Sequence, residues 1–181
     1  MIMKQTETFA VVLDFLPHGH PFEERRLPVA QVIGEKHFSL LEVIPKKGVH
    51  LIPGQRVYIG EEKRVEIHHV KGRVMVRNLT RTASAELEIV INNIISSNES
   101  DYVTFFNKSI PITTRLHQLE LLPGIGKKHM WKIIEERRYE PFKDFKDLKA
   151  RVELLPDPKQ AIVKRIIDEL DESDKYSLFT F

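Results

Sequence analysis

The spacing of apolar residues changes twice along this chain of 181 residues, and each change predicts a different architecture. From Thr8 to Leu16, apolar, β-branched and aromatic residues run almost unbroken up to Pro17-His18-Gly19-His20-Pro21. That is the pattern of a strand closed by a turn. The polar segment from Phe22 to Leu27 reads as a loop. Shorter strand-like runs follow at Pro28 to Ile33, His37 to Ile44, Gln55 to Ile59, Arg64 to Val70 and Arg73 to Val76. Glycine-bearing turns separate them at Gly34-Glu35-Lys36, Pro53-Gly54, Gly60-Glu61-Glu62-Lys63 and Lys71-Gly72. Five or six short strands in about seventy residues predict a small β-barrel, because a sandwich needs more of them.

Beyond Arg81 the period lengthens to that of a helix. Leu87, Val90, Ile91, Ile94 and Ile95 fall at i, i+3, i+4, i+7 and i+8, with Thr82 or Ser84 available as the cap. Ser96 to Ser100 interrupts the stripe, and Tyr102, Val103, Phe105 and Phe106 resume it for about two turns. Ile110-Pro111-Ile112 breaks the chain again, after which Thr113 is expected to cap a short helix over Thr114 to Glu120. A second helix is expected from Lys127 to Glu136, with Trp131 filling the core. The second change of spacing is a repeat. Leu154-Leu155-Pro156 restates Leu121-Leu122-Pro123 at an offset of 33 residues, and Ile166-Ile167-Asp168-Glu169 restates Ile133-Ile134-Glu135-Glu136. Two supersecondary units that bury their apolar faces on each other would read this way. After the acidic break at 171–174, Tyr176 to Phe181 is expected to dock back as a short strand or to stay mobile.

The string Leu121-Leu122-Pro123-Gly124-Ile125-Gly126-Lys127-Lys128 carries the candidate chemistry. Two glycines one residue apart suit a tight turn that needs positive φ or close backbone approach. The amides of Gly124, Gly126 and Lys127 then lie at the start of a helix, where free N–H groups and the positive end of the dipole favour a phosphate. Lys127 and Lys128 add two charges there, and Ile125 is expected to plug the turn onto the helical core. An ordinary corner between helices would explain Pro-Gly alone; the lysines tip the reading towards phosphate. In the second copy Asp157, Pro158 and Lys159 replace Gly-Ile-Gly. This brings negative charge to the turn and removes an amide donor, so that copy is expected to be structural. Further candidate contacts are Lys132, Arg137 and Arg138 on the helix after the first turn, and Lys46, Lys47, Arg64, Arg73 and Arg77 in the barrel. Each of these taken singly reads equally well as a solvated cation. Phe38 and Tyr58 are the aromatic candidates for stacking, although Phe38 has the neighbours of a core residue.

The residues 121–128, followed by an amphipathic helix, resemble a helix-hairpin-helix motif, a module that grips nucleic-acid backbones without reading sequence. Ile133 to Arg138 and Glu140 to Leu148 resemble its paired form, and Pro53 to Gly60 resembles the turn and strand of an OB-type barrel. The order of the whole chain, including Pro28-Val29-Ala30-Gln31 and Thr113 to Lys128, resembles an archaeal family of uncharacterised proteins predicted to bind nucleic acid. The fold implied is α+β and multidomain. It has an OB-like barrel over 1–78, a helical connector over 79–110, an all-α tandem helix-hairpin-helix domain over 111–172 and a tail over 173–181. The function implied is a sequence-blind hold on consecutive phosphates, with the barrel adding contacts to a single strand or a structured RNA.

Composition narrows the alternatives. With 28 basic and 26 acidic residues the net charge is only +2, which argues against a polyanion binder driven by bulk charge but leaves room for a local basic patch. The absence of cysteine removes disulfides, iron–sulfur clusters and thiolate zinc sites. Of the eight histidines, His18/His20 and His68/His69 lack partners at ligand spacing, so neither metal nor cofactor is expected. No apolar run is long enough for a signal peptide or a bilayer span, so the expected location is the cytoplasm, away from membranes. No catalytic constellation is present: Asp144 and Asp147, placed after the hairpin where a glycosylase would keep its catalytic residue, read as a helix start. The expectation is therefore a non-catalytic binder of RNA or DNA, RNA favoured. Two alternatives remain: a docking scaffold for protein partners in a translation or transcription assembly, and an accessory enzyme of DNA repair or nuclease type.

Overall fold

Five antiparallel strands form one curled sheet, half of a barrel, in the order β4-β1-β2-β3-β5, and five helices follow them in the chain. The strands are β1 (Phe9–Leu16), β2 (Val29–Gly34), β3 (Leu40–Pro45), β4 (Arg56–Tyr58) and β5 (Ile67–Arg73). The helices are α1 (Arg81–Ser97), α2 (Glu99–Lys108), α3 (Lys127–Tyr139), α4 (Phe145–Arg151) and α5 (Pro158–Leu170). The computed structural model describes residues 6–172 and 175–181, so part of the acidic break and of the expected tail lies outside the described residues. The chain divides into two compact units, Met1–Val90 with Glu169–Phe181, and Ile91–Asp168. Among the described residues no helix is long and apolar enough to cross a membrane.

In the first unit, alternation along the strands places Ala10, Val12, Ala30, Val32, Leu41, Val43, Val57 and Ile67 in one apolar core, joined by Leu51 and Ile59. A bulge shifts the β1–β2 register between Val12 and Asp14, so Leu13 is the extra residue and is buried beside Val12. Gln31, opposite Glu42 in the β2–β3 ladder, is fully buried and fully bonded. Its amide nitrogen donates to Glu42 Oε1 (3.2 Å) and to the Asn78 carbonyl (3.1 Å), and its oxygen accepts the Thr80 amide (2.8 Å). A carboxylate organises the turn after β2. Glu7 accepts the amides of Lys36, His37 and Ser39 at 2.8 to 3.2 Å, beside a buried Phe38 held at φ +54°. The same carboxylate fixes Gly34, where a Cβ would lie 2.0 Å from Glu7 Cδ.

Several sequence expectations change here. Of the five or six strands expected, five form: Lys71-Gly72 sits inside β5, and the last run, Arg73 to Val76, gives way to a 3-10 turn over Val76–Asn78. The cap of α1 is Thr80, whose hydroxyl accepts the Ala83 amide at 3.0 Å, and not Thr82 or Ser84. His68 and His69, successive residues whose side chains would alternate across a regular strand, bring their Nδ1 atoms to 2.7 Å of one another because the β3–β5 ladder carries two register shifts. The residues after 174 form no strand; Glu169 binds the amides of Leu178, Phe179 and Thr180 at 2.7 to 3.0 Å.

The second unit holds the repeat. The predicted stripe of α1 is buried, Leu87 and Val90 in the first unit and Ile91, Ile94 and Ile95 in the second, where α2 resumes after Asn98 with Val103 and Phe106 inside. The helix expected over Thr114 to Glu120 shrinks to a 3-10 turn, Gln118–Leu121. Residues 111–117 cannot be helical because their backbone folds back on itself: Ile112 N–H donates to Leu116 O and Gln118 N–H to Ile110 O. His117 then starts the turn with a reciprocal cap. Its Nδ1 accepts the Leu119 amide (3.1 Å), while Glu120 accepts the His117 amide (2.8 Å).

Candidate nucleic-acid interface

Four residues turn the chain from the 3-10 turn into α3. Pro123 occupies the second position and Gly124 the third, with φ +83°, and the Ile125 amide returns to Leu122 O at 3.0 Å. This is the residue order of a type II turn, whose third position favours glycine. Ile125 is buried, so the turn is plugged as its apolar side chain predicts. Gly126 is the N-cap of α3 (φ −93°, ψ −174°), and its carbonyl accepts the Met130 amide at 3.0 Å. No side chain caps this helix. Among the described residues none accepts from the amides of Gly126, Lys127, Lys128 or His129. A Cβ on Gly126 would meet nothing within 4 Å, so the backbone is open to approach at the point where its donors converge.

The second turn is built the other way. Asp157 precedes α5 and its carboxylate accepts the Gln160 amide at 3.1 Å, while Pro158, the first helical residue, has no amide to offer. The two turns meet: a Cβ on Gly124 would lie 3.2 Å from Pro156 Cγ. Contact between the copies is thus made at the same glycine that shapes the first turn.

The predicted cations have different fates. Lys127 reaches Glu120 at 3.3 Å but stays largely exposed. The His117 amide, and after it the Lys127 ammonium, hold the Glu120 carboxyl below its ordinary value against an opposing effect of burial. Lys128 and Arg138 are exposed and have no carboxylate partner among the described residues. Lys132 pairs with Glu136 (3.0 Å) and Glu135 (3.3 Å), which raises its pKa. Arg137 faces inward. It donates to Phe106 O (2.8 Å), Ser109 Oγ (2.9 Å) and Ser109 O (2.8 Å), capping the end of α2. Arg151 does the same for α3, donating to Glu136 O and Glu140 O.

In the first unit Lys46 donates to the Arg64 carbonyl, Lys47 is exposed, and Arg73 donates to Phe181 O at 3.3 Å. Leu41 pairs with Arg73 and Pro45 with Ile67, so Lys46 and Arg73 lie at opposite ends of the β3–β5 ladder. At the rise of a strand that is about 16 Å, too far for one phosphate. Of the aromatic candidates, Phe38 is buried and Tyr58 packs edge-on against Phe9 with its hydroxyl accepting the Glu62 amide. Trp131 corrects the sequence expectation most sharply: it is 61% exposed and fills no core.

Comparison with known proteins places this architecture in a family. A family model described as "Protein of unknown function (DUF655)" matches residues 6–181. The chain is 48% identical over 175 residues to the uncharacterized protein MJ0038 of Methanocaldococcus jannaschii, covering 96% of this chain and 79% of that one. The crystal structure of Af1531 from Archaeoglobus fulgidus superposes with a TM-score of 0.88 at 49% identity, covering 97% of this chain and all of the other.

Proposed function

Since the chain belongs to the DUF655 family, we propose that its members share a non-catalytic hold on nucleic acid, made through the turn at residues 122–128. The two turns are read as a tandem helix-hairpin-helix pair of which the first binds, and the half-barrel as a partly open barrel of OB type. One observation carries the reading: an uncapped helix start whose four leading amides have no acceptor among the described residues, beside an open glycine and Lys127 and Lys128. Such a site accepts a phosphate oxygen by charge-assisted hydrogen bonds and takes no information from the base. RNA is favoured over duplex DNA because OB-type barrels receive single strands and structured RNA.

The test is fluorescence anisotropy of labelled duplex DNA, single-stranded RNA and a structured RNA over a salt series, for the parent and for Lys127→Glu/Lys128→Glu. Affinity is expected to fall linearly on a log–log salt plot, with a shallower slope in the variant. Lys128→Glu alone is the cleaner variant, because Lys127 also serves Glu120. A folded variant that binds all three ligands as well as the parent refutes the hold and redirects the search to protein docking.

A further inference from the structure

The inward side of α3 is complete without its tryptophan: Met130 and Ile133 are buried, Ile134 is half-buried and Arg137 is turned inward. Lys128, Trp131, Glu135 and Arg138 form the opposite stripe, all exposed, with Tyr139 beside it at 80% exposure. An exposed indole gives up a large apolar burial that the same residue would gain if turned inward. Here it is bracketed along one helix face by two cations that have no carboxylate partner among the described residues, Lys128 three residues before and Arg138 seven residues after. The carboxylate on that stripe, Glu135, is matched by Lys132, as is its neighbour Glu136. A flat aromatic surface between unpaired positive charges complements a ligand with a π-face and a negative backbone. A neutral apolar protein surface would bury the charges unpaired.

We propose that Trp131 is a stacking platform for an unpaired nucleobase, and that the ligand of this chain is therefore single-stranded. The inference rests on the phosphate-holding reading above and adds what becomes of the base. Trp131 follows Gly126 by five residues, about 7.5 Å along the helix axis. Side chains on a helix lean towards its start, which directs the indole towards the end of α3 that carries the free amides. A phosphate held at those amides places its own or the next base over the ring. Duplex DNA, whose bases stay stacked on each other, offers no such face.

Trp131 is the only tryptophan in the chain, so its emission reports on this surface alone. Titration of the full chain with oligouridylate, an abasic oligonucleotide of equal length, duplex DNA and inorganic polyphosphate separates base from phosphate. Quenching is expected with oligouridylate only. In anisotropy, Trp131→Ala is expected to weaken oligouridylate binding roughly 5- to 150-fold while leaving the abasic strand unaffected, and Trp131→Phe to restore most of the loss. Both substitutions are at an exposed position and leave the fold intact. If oligouridylate binds with parental affinity to Trp131→Ala, or binds without quenching the parent, the platform is refuted, even where Lys128→Glu shows that the phosphate hold stands. If Lys128→Glu also changes nothing, the hold fails as well. An indole that responds to none of the four ligands refutes the platform and leaves that face to a protein partner.

Discussion

Gly126→Ala tests the amide hold without removing any charge. Gly126 has φ −93° and ψ −174°, an extended conformation open to alanine, and the added methyl would meet nothing within 4 Å. Losing glycine's freedom in the unfolded chain stabilises by about 0.4–1 kcal/mol. Alanine's poorer performance as an N-cap offsets a similar amount, so the unfolding free energy should move by less than about 1 kcal/mol. Binding should respond differently, because the methyl stands beside the amides proposed to receive the phosphate. A hydrogen bond to a charged acceptor is worth about 1.5–3 kcal/mol, so displacing one weakens binding about 10- to 150-fold. All cations remain, so the slope of affinity against salt should be unchanged while the whole line drops. Denaturant unfolding and anisotropy on the same preparation read both halves. Parental affinity in a normally folded Gly126→Ala protein would show that the phosphate does not approach the backbone there.

Three further outcomes follow from the geometry. Burial, and after it the Arg137 charge, keep His117 below its ordinary pKa, and its cap needs a neutral Nδ1. The unfolded chain therefore takes the proton first, and stability should fall as pH drops below about 6.5. The depressed Glu120 contributes stability above its ordinary value of 4.5, lost as pH falls through its lower folded value. His117→Asn keeps a capping side chain and should abolish the upper step in an unfolding series, where an unchanged profile would acquit His117. Arg137→Ala removes three hydrogen bonds at the end of α2 and should destabilise by about 2–4 kcal/mol, with RNA affinity unchanged at temperatures where the variant is folded. Gly34→Ala drives a methyl into Glu7 and should cost about 1–3 kcal/mol by circular dichroism melting; an unperturbed melt would mean that the carboxylate moves aside freely.

Local patterns in the sequence translated well where a single element explains itself. The run Thr8 to Leu16 became β1, and the stripe from Leu87 to Ile95 became the buried side of α1. Pro123, Gly124 and Ile125 state their turn outright, and Asp157 states why its copy is closed. What the chain hides depends on partners distant in sequence. Ser109, which engages Arg137, lies 28 residues before it, and Glu7 lies 27 residues before Gly34. Neither pairing leaves a local pattern. Trp131 was legible: with Met130, Ile133 and Ile134 on one side, helical spacing sets it on the other. Its size suggested core, but its angular position on the helix decides the matter. The missing helix before Leu121 is of the same kind. Thr114 to Glu120 holds a single pair at helical spacing, Leu116 and Leu119, and its start signal is His117 with Glu120 three residues on, so the turn begins there and not at Thr113.

The carboxylate of Asp157 is bonded to the same kind of amide that the first turn leaves open. Being covalently attached, it acts as a ligand at an effective concentration that no dissolved anion matches. Added salt cannot displace it, and a polyphosphate cannot compete with it. On the proposed reading, a chain with two turns of one pattern is in this respect monovalent. Titration should saturate at one anion per chain, and the affinity of a long nucleic acid should grow only with the number of proteins that line up along it.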